Sequence, residues 1–140
     1  MIKGKLSDHF SWSEMCVDTR YWGKRYPNLP GEKEQENIRN LVTNVLEPIR
    51  EIIGKPMVIT SGFRNQQNNF LVGGVRTSQH LKGEAADFYV KDLSSVRILR
   101  TILESDMKIP FDQLICYQAK NFIHVSYTTG RENRGEILYK

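Results

Sequence analysis

The sequence predicts an α+β fold from three observations. Helical periodicity dominates the first part of the chain, short β-branched runs follow, and two alternating segments near the end are joined by a four-residue turn. At 140 residues the chain is expected to form one domain over 1–140, long enough to bury most of its apolar surface without staples. No internal repeat, low-complexity tract or long linker interrupts it.

The elements follow in order. Ser11-Trp12-Ser13-Glu14 has the capping-box pattern, in which a hydroxyl and a carboxylate satisfy orphan backbone donors, so a short helix should start there. Tyr21 to Gly31 carries Pro27, Pro30 and Gly31 and reads as loop. From Glu32 to Ile53, apolar residues recur at Ile38, Leu41, Val42, Val45, Leu46, Ile49, Ile52 and Ile53, the spacing of an amphipathic helix with a core-packing role. Glu32, Glu34 and Glu36 suit its N-terminal dipole, and Gly54 then Pro56 stop it. Pro48 inside the pattern predicts a kink near Asn44 to Pro48.

Met57 to Ser61 is short and β-branched, hence a strand. Asn65 to Gln79 is rich in Asn, Gln, Gly and Ser and reads as a long surface loop, where function concentrates. Ala85 to Val90 is a second strand, and Leu93 to Leu103 a second amphipathic helix with Asp92 or Ser94 as its cap. Gln113 to Tyr117 and Phe122 to Tyr127 make an antiparallel hairpin through Gln118-Ala119-Lys120-Asn121.

Composition narrows the chemistry. Cys16 and Cys116 form no C-x-x-C pair, which argues against a thiolate zinc cage and a disulfide framework and suits a reducing cytoplasm. No apolar stretch approaches the roughly 20 residues needed to span a bilayer, and Met1 to His9 lacks the apolar region of a signal peptide. The expectation is a soluble monomer made in the cytoplasm, with no membrane partner. The net charge of +4 favours anionic partners without naming one. With only three histidines, a metal site can be built in few ways.

The most specific segment is Ser78-Gln79-His80-Leu81-Lys82-Gly83-Glu84-Ala85-Ala86-Asp87. His80 leaves the polar loop, Gly83 allows a tight turn, and Asp87 falls on the following strand on the same face as Ala85 and Tyr89. An imidazole and a carboxylate thus converge with room for an ion. His124 shares a strand face with Phe122 and Ser126; taken alone, such a histidine is more often a satisfied core or edge residue than a ligand. If zinc is held, two imidazoles and one carboxylate are the open, three-ligand set of hydrolytic zinc sites, whereas a structural site is more often closed by a fourth protein ligand.

Ser78-x-His80-x-x-Gly83-x-Ala85-x-Asp87, followed by a strand carrying His124, resembles the zinc D-Ala-D-Ala carboxypeptidases of peptidase family M15, subfamily A type, which share their fold with the Hedgehog signalling domain. The likeness extends through Ile59-Thr60-Ser61-Gly62-Phe63-Arg64, Val72-Gly73-Gly74, Asp112-Gln113-Leu114-Ile115, His124-Val125-Ser126-Tyr127 and the tail Gly130-Arg131 to Arg134-Gly135. It covers most of the sequence from about Glu32 onward, and short stand-alone proteins of phages and prophages are similar. The resemblance implies a small, mainly antiparallel sheet with helices packed against it, Zn2+ as cofactor, and His80, Asp87 and His124 as its ligands. It also implies that Arg64 binds substrate or stabilises charge on the scissile carbonyl oxygen, where a fixed guanidinium is physically apt. Without that context Arg64 would read as a surface ion pair. Ser78 and Gln79 would lie at the rim and donate to a peptide, or simply cap the turn before His80.

One departure stands out. The wider family places a carboxylate three residues before the last histidine ligand, where it moves the proton of the attacking water to the leaving amine. Here that position is Asn121. Some phage-type relatives carry an acid just after the Asp-Gln-Leu-Ile run, where this protein has Cys116-Tyr117. Glu84 and Asp112 are the remaining nearby acids. Alternation points Glu84 to the face opposite Asp87 if the strand includes it, and Asp112 at a strand start reads as a cap, so the general base stays unassigned. The first functional reading is a zinc metallopeptidase, carboxypeptidase or endopeptidase, acting on amide bonds of D-amino acids in peptidoglycan stem peptides. The alternative is a catalytically silent zinc-binding domain that recognises cell wall or serves in a virion. The basic tail Arg131 to Lys140 lacks a nucleic-acid motif, so no nucleic-acid partner is expected. Lacking a signal peptide, the protein would be released at lysis, be carried in a particle, or stay in the cytoplasm.

Overall fold

A computed structural model describes residues 4–16 and 28–140. The stretch 21–27 of the loop expected over Tyr21 to Gly31 lies outside the described residues. Helix α1 (Trp12–Met15) starts at Ser11, whose hydroxyl accepts from the Glu14 amide while the Glu14 carboxylate accepts from the Ser11 amide, completing the capping box. Over 32–53 the backbone is helical throughout, as α2 (Glu32–Leu41), a π-helical turn (Val42–Leu46) and α3 (Glu47–Ile53). The widened turn sits where Pro48 predicts an irregularity. Proline lacks the amide that would bond the Asn44 carbonyl, and within the widened turn the Asn40 carbonyl accepts from the Asn44 side-chain amide. Ile38, Leu41, Val42, Val45, Leu46 and Ile49 form its fully buried stripe.

Strands β1 (Val58–Ser61), β2 (Ala85–Tyr89), β3 (Gln113–Tyr117), β4 (Phe122–Ser126) and β5 (Glu136–Tyr139) make one sheet in the order β1-β2-β4-β3-β5. All pairings are antiparallel except β3 with β5. This is the predicted α+β, mainly antiparallel architecture. One sheet face, with Ile59, Ala86, Phe88, Leu114, Cys116, Ile123 and Val125, joins the buried helix stripes in the core, to which Ile98, Leu99 and Ile102 of a C-terminal helix (Ser95–Glu104) also contribute. That helix is capped by Ser94, the second of the two expected caps; Asp92 instead occupies a left-handed turn position at φ 68°.

Two segments differ from expectation. Asn65 to Gln79 is not loop throughout: a helix (Gln66–Leu71) lies within it, capped by the Asn65 side chain. It escapes periodicity because it is anchored by the buried polar residues Asn68 and Asn69 while Phe70 stands exposed. The terminal strand β5 has no counterpart among the predicted elements; it pairs in parallel with β3 after the turn at 128–135. No helix among the described residues is long and apolar enough to cross a membrane.

Candidate metal centre and its cleft

The sheet face away from the helices floors a cleft of about 840 Å³. Alternation selects the floor: Asp87 on β2, Phe122 and His124 on β4, and Gln113, Ile115 and Tyr117 on β3 face the cleft while their neighbours face the core. Register then sets Asp87 directly opposite His124. His80 arrives from a 3₁₀ turn (Gln79–Lys82) that ends at Gly83. Gly83 has φ +74°, and a Cβ there would lie 2.7 Å from the Glu34 carbonyl oxygen, so the turn can dock on α2 only with glycine at this position. Asn37 on α2 also donates to the Lys82 carbonyl.

The three side chains that the sequence offers as metal ligands are brought together by the fold. One donor atom from each of His80, Asp87 and His124 lies within 4.8 Å of the other two. His80 Nδ1 is 2.7 Å from the Gly62 carbonyl oxygen, which can only accept, so Nδ1 carries the proton. In the neutral ring Nε2 is then an acceptor, and it faces Asp87 Oδ1 at 3.3 Å. His124 Nδ1 lies 2.8 Å from the same oxygen. Two acceptors facing each other repel unless a cation lies against both. A proton on Nε2 is one solution, but burial is the largest influence on His80 and lowers its pKa, outweighing the pull of the Asp87 charge. The Asp87 carboxyl is lowered overall, since burial raises it but positive charge and hydrogen bonding at His80 and His124 more than offset that, so positive charge belongs where the two rings and the carboxylate meet. A divalent metal is the other solution. The two imidazoles and one carboxylate fit Zn2+ with an open position, and the Gly62 bond on the far side of His80 is the orienting contact such ligands carry.

Arg64 is buried at the cleft wall rather than exposed on the surface, with its amide donating to the His80 carbonyl. Gly74 covers it closely: a Cβ there would lie 2.9 Å from an Arg64 Nη1. Ser78 caps the turn, its hydroxyl accepting from the His80 amide. Gln79 lines the cleft beside it, and its buried Nε2 makes no hydrogen bond to a described residue.

Asn121 does not line the cleft. It lies in the hairpin turn at φ 57°, and its Oδ1 accepts from the Ser95 amide at 2.7 Å, capping the start of the C-terminal helix. Glu84 does line the cleft, against the expectation from alternation, because the strand begins at Ala85 and Glu84 follows the left-handed Gly83. Its Oε2 accepts from the Thr128 hydroxyl at 2.8 Å. Asp112 is fully buried and holds Arg131 and Arg134, both of which face the cleft, by bidentate pairs at 2.8–3.1 Å. Hydrogen bonding to Arg131 first, then to Arg134, keeps its carboxyl well below the usual range. The likeness to the M15 family takes in both Asp112 and the tail Gly130-Arg131 to Arg134-Gly135, but nothing in the local pattern reports that the two pair and fold the tail back over the site.

Two groups fall away from the centre. His9 pairs with Glu47 on α3, Nδ1 to Oε1 at 2.7 Å. Cys16 and Cys116 are unpaired, and burial pushes the Cys16 thiol up to about 11, far from a metal-binding thiolate.

Among known families, the one described as Peptidase M15 matches residues 8–126. No curated protein matches this sequence.

Proposed function

The chain belongs to the peptidase M15 family, and from that premise we propose that it is a zinc-dependent peptidase of phage or prophage type that hydrolyses amide bonds of D-amino acids in peptidoglycan stem peptides. The observation that carries this reading is the convergence of one donor each from His80, Asp87 and His124 within 4.8 Å at the floor of an open cleft. A bound Zn2+ supplies Lewis acidity at the scissile carbonyl and makes a water acidic enough to attack near neutral pH.

The protein's own residues do the rest. Gly62 and the β2–β4 register hold the three ligands in place before substrate arrives, which limits the reorganisation the site must undergo. Arg64 provides fixed positive charge where the carbonyl oxygen gains negative charge. Ser78 and Gln79 at the rim hold the peptide backbone. Glu84 is the proton carrier: it is the cleft's only lining carboxylate besides Asp87 among the described residues, and Thr128 engages one of its oxygens, leaving Oε1 for a water. Tyr117 and Phe122, stacked with ring centroids 4.4 Å apart, offer an apolar wall to a side chain.

Incubation of the zinc-loaded protein with purified wall fragments, followed by mass spectrometry, tests the reading. Release of D-Ala or of cleaved stem peptides is expected. Neither family slot for the proton carrier holds an acid here, so a silent zinc-binding wall or virion module is the second reading; it predicts bound but intact fragments across wall chemotypes.

A further inference from the structure

We propose that Arg131 and Arg134, clamped side by side by the buried Asp112, form a carboxylate-binding subsite of the cleft, so that the peptide taken there is acidic. The inference rests on the peptidase reading for the word peptide, but the subsite itself stands on its own geometry.

Three observations carry it. First, the clamp leaves charge over. One fully buried carboxylate holds two guanidiniums, each with its side chain about half exposed (49% and 46%) toward the cleft. Second, the donors are positioned in advance. Arg131 gives Nη1 and Nη2 to Asp112, and Arg134 gives Nε and Nη2, while the Arg134 amide also bonds Oδ1. Nε–H of Arg131 and Nη1 of Arg134 have no acceptor among the described residues and are held at little further entropic cost, the condition under which a guanidinium pair grips a carboxylate through parallel bonds. Third, the surroundings agree in sign. Arg64, Lys82, Lys120 and Lys140 line the same cleft, against Glu84 and Asp87 alone. Glu84 acts on the Arg131 charge and Glu136 on that of Arg134, so the positive excess belongs to the cleft as a whole, through Arg64, Lys82, Lys120 and Lys140.

The chemistry fits either the terminal carboxylate of a peptide or an acidic side group, and the test separates them. The zinc-loaded protein is titrated with N-acetyl-D-alanine, with N-acetyl-glutamic acid α-amide, whose only carboxylate is in its side group, and with N-acetyl-D-alaninamide as the neutral control, following the arginine Nε–H signals by NMR. Shifts of the Arg131 and Arg134 signals with one acid or both, and none with the amide, are expected; the acid that binds identifies the source. Arg134→Gln leaves Arg131 on Asp112, and Arg131→Lys keeps the charge but loses the fork. Each should weaken that acid about tenfold with zinc content unchanged. Signals that move equally with the amide, or move with neither acid, overturn the subsite. If the acids bind as expected but wall peptides stay intact, the subsite stands and the peptidase reading fails.

Discussion

Removal of zinc should destabilise the protein strongly, because the metal would tie the His80 turn to the paired strands β2 and β4 at the point where their side chains meet on one carboxylate oxygen. His80 comes from a turn docked on α2, Asp87 from β2 and His124 from β4, and without a cation His80 Nε2 opposes Asp87 Oδ1 at 3.3 Å. A ligand that binds only the folded state stabilises it by about 4 kcal/mol when present at a thousandfold excess over its dissociation constant. For a protein of this length roughly 4 °C of melting temperature accompanies each kcal/mol, so the zinc-loaded protein should melt about 15 °C above the chelated one. The assay is calorimetric unfolding with saturating Zn2+ and with chelator, paired with metal quantification. Asp87→Asn should abolish most of that difference, since the shared oxygen loses its charge, while His9→Ala should leave it intact because His9 is engaged by Glu47. A shift below about 2 °C in the wild-type protein, with no stoichiometric zinc, would refute the reasoning at its root.

Other expectations follow from single contacts. Glu84→Gln keeps the size of the side chain and should lower kcat by about 10² to 10⁴ with zinc retained; an unchanged rate removes Glu84 as proton carrier. Asn121→Glu should bring no gain in activity and lose about 1 kcal/mol, because Asn121 caps the C-terminal helix outside the cleft; a tenfold rise in rate would show the opposite. Asp112→Asn should cost about 3 kcal/mol in denaturant titration, since a fully buried carboxylate holding two arginines loses its charge; a midpoint within error of wild type would contradict the clamp. Burial alone raises Glu47, but bonds from Ser7 and His9 more than offset it and hold the carboxyl below its ordinary 4.5. Its folded value is therefore the lower one, so its contribution is complete above pH 4.5 and lost as the pH falls through the folded value. Glu47→Gln should flatten the stability curve in that acid window only, and an unaltered curve would count against the contact.

Most of the framework is legible in the sequence because it rests on periodicities. The stripe from Ile38 to Ile49, the caps at Ser11 and Ser94 and the alternation around His124 each express a local rule that tertiary structure leaves in force. The helix at Gln66–Leu71 is hidden because its anchors, Asn68 and Asn69, are polar, and an apolar pattern cannot report burial achieved through hydrogen bonds. Strand β5 is hidden for a different reason. Four residues of mixed exposure carry little signal alone, and their pairing depends on the 128–135 turn being pinned by Asp112, a contact 19 to 22 residues distant in sequence.

The same distinction explains which functional groups can be read and which cannot. Asp87 and His124 sit on paired strands, where a period of two fixes the face and register fixes the partner. Glu84, Thr128, Arg131 and Arg134 sit just beyond strand ends, where one left-handed glycine or one turn decides the direction and alternation has no authority. Glu84 shows the consequence. Counted as strand it faces away from Asp87; placed after Gly83, at φ +74°, it lines the cleft. On the proposed reading the chemistry is divided: paired strands supply two of the three ligands, Asp87 and His124, while turns supply His80 and the charges that would meet substrate. With the proton carrier on such a turn, as proposed for Glu84, the position of Asn121 serves the fold instead, its side chain accepting from the Ser95 amide at the start of the C-terminal helix.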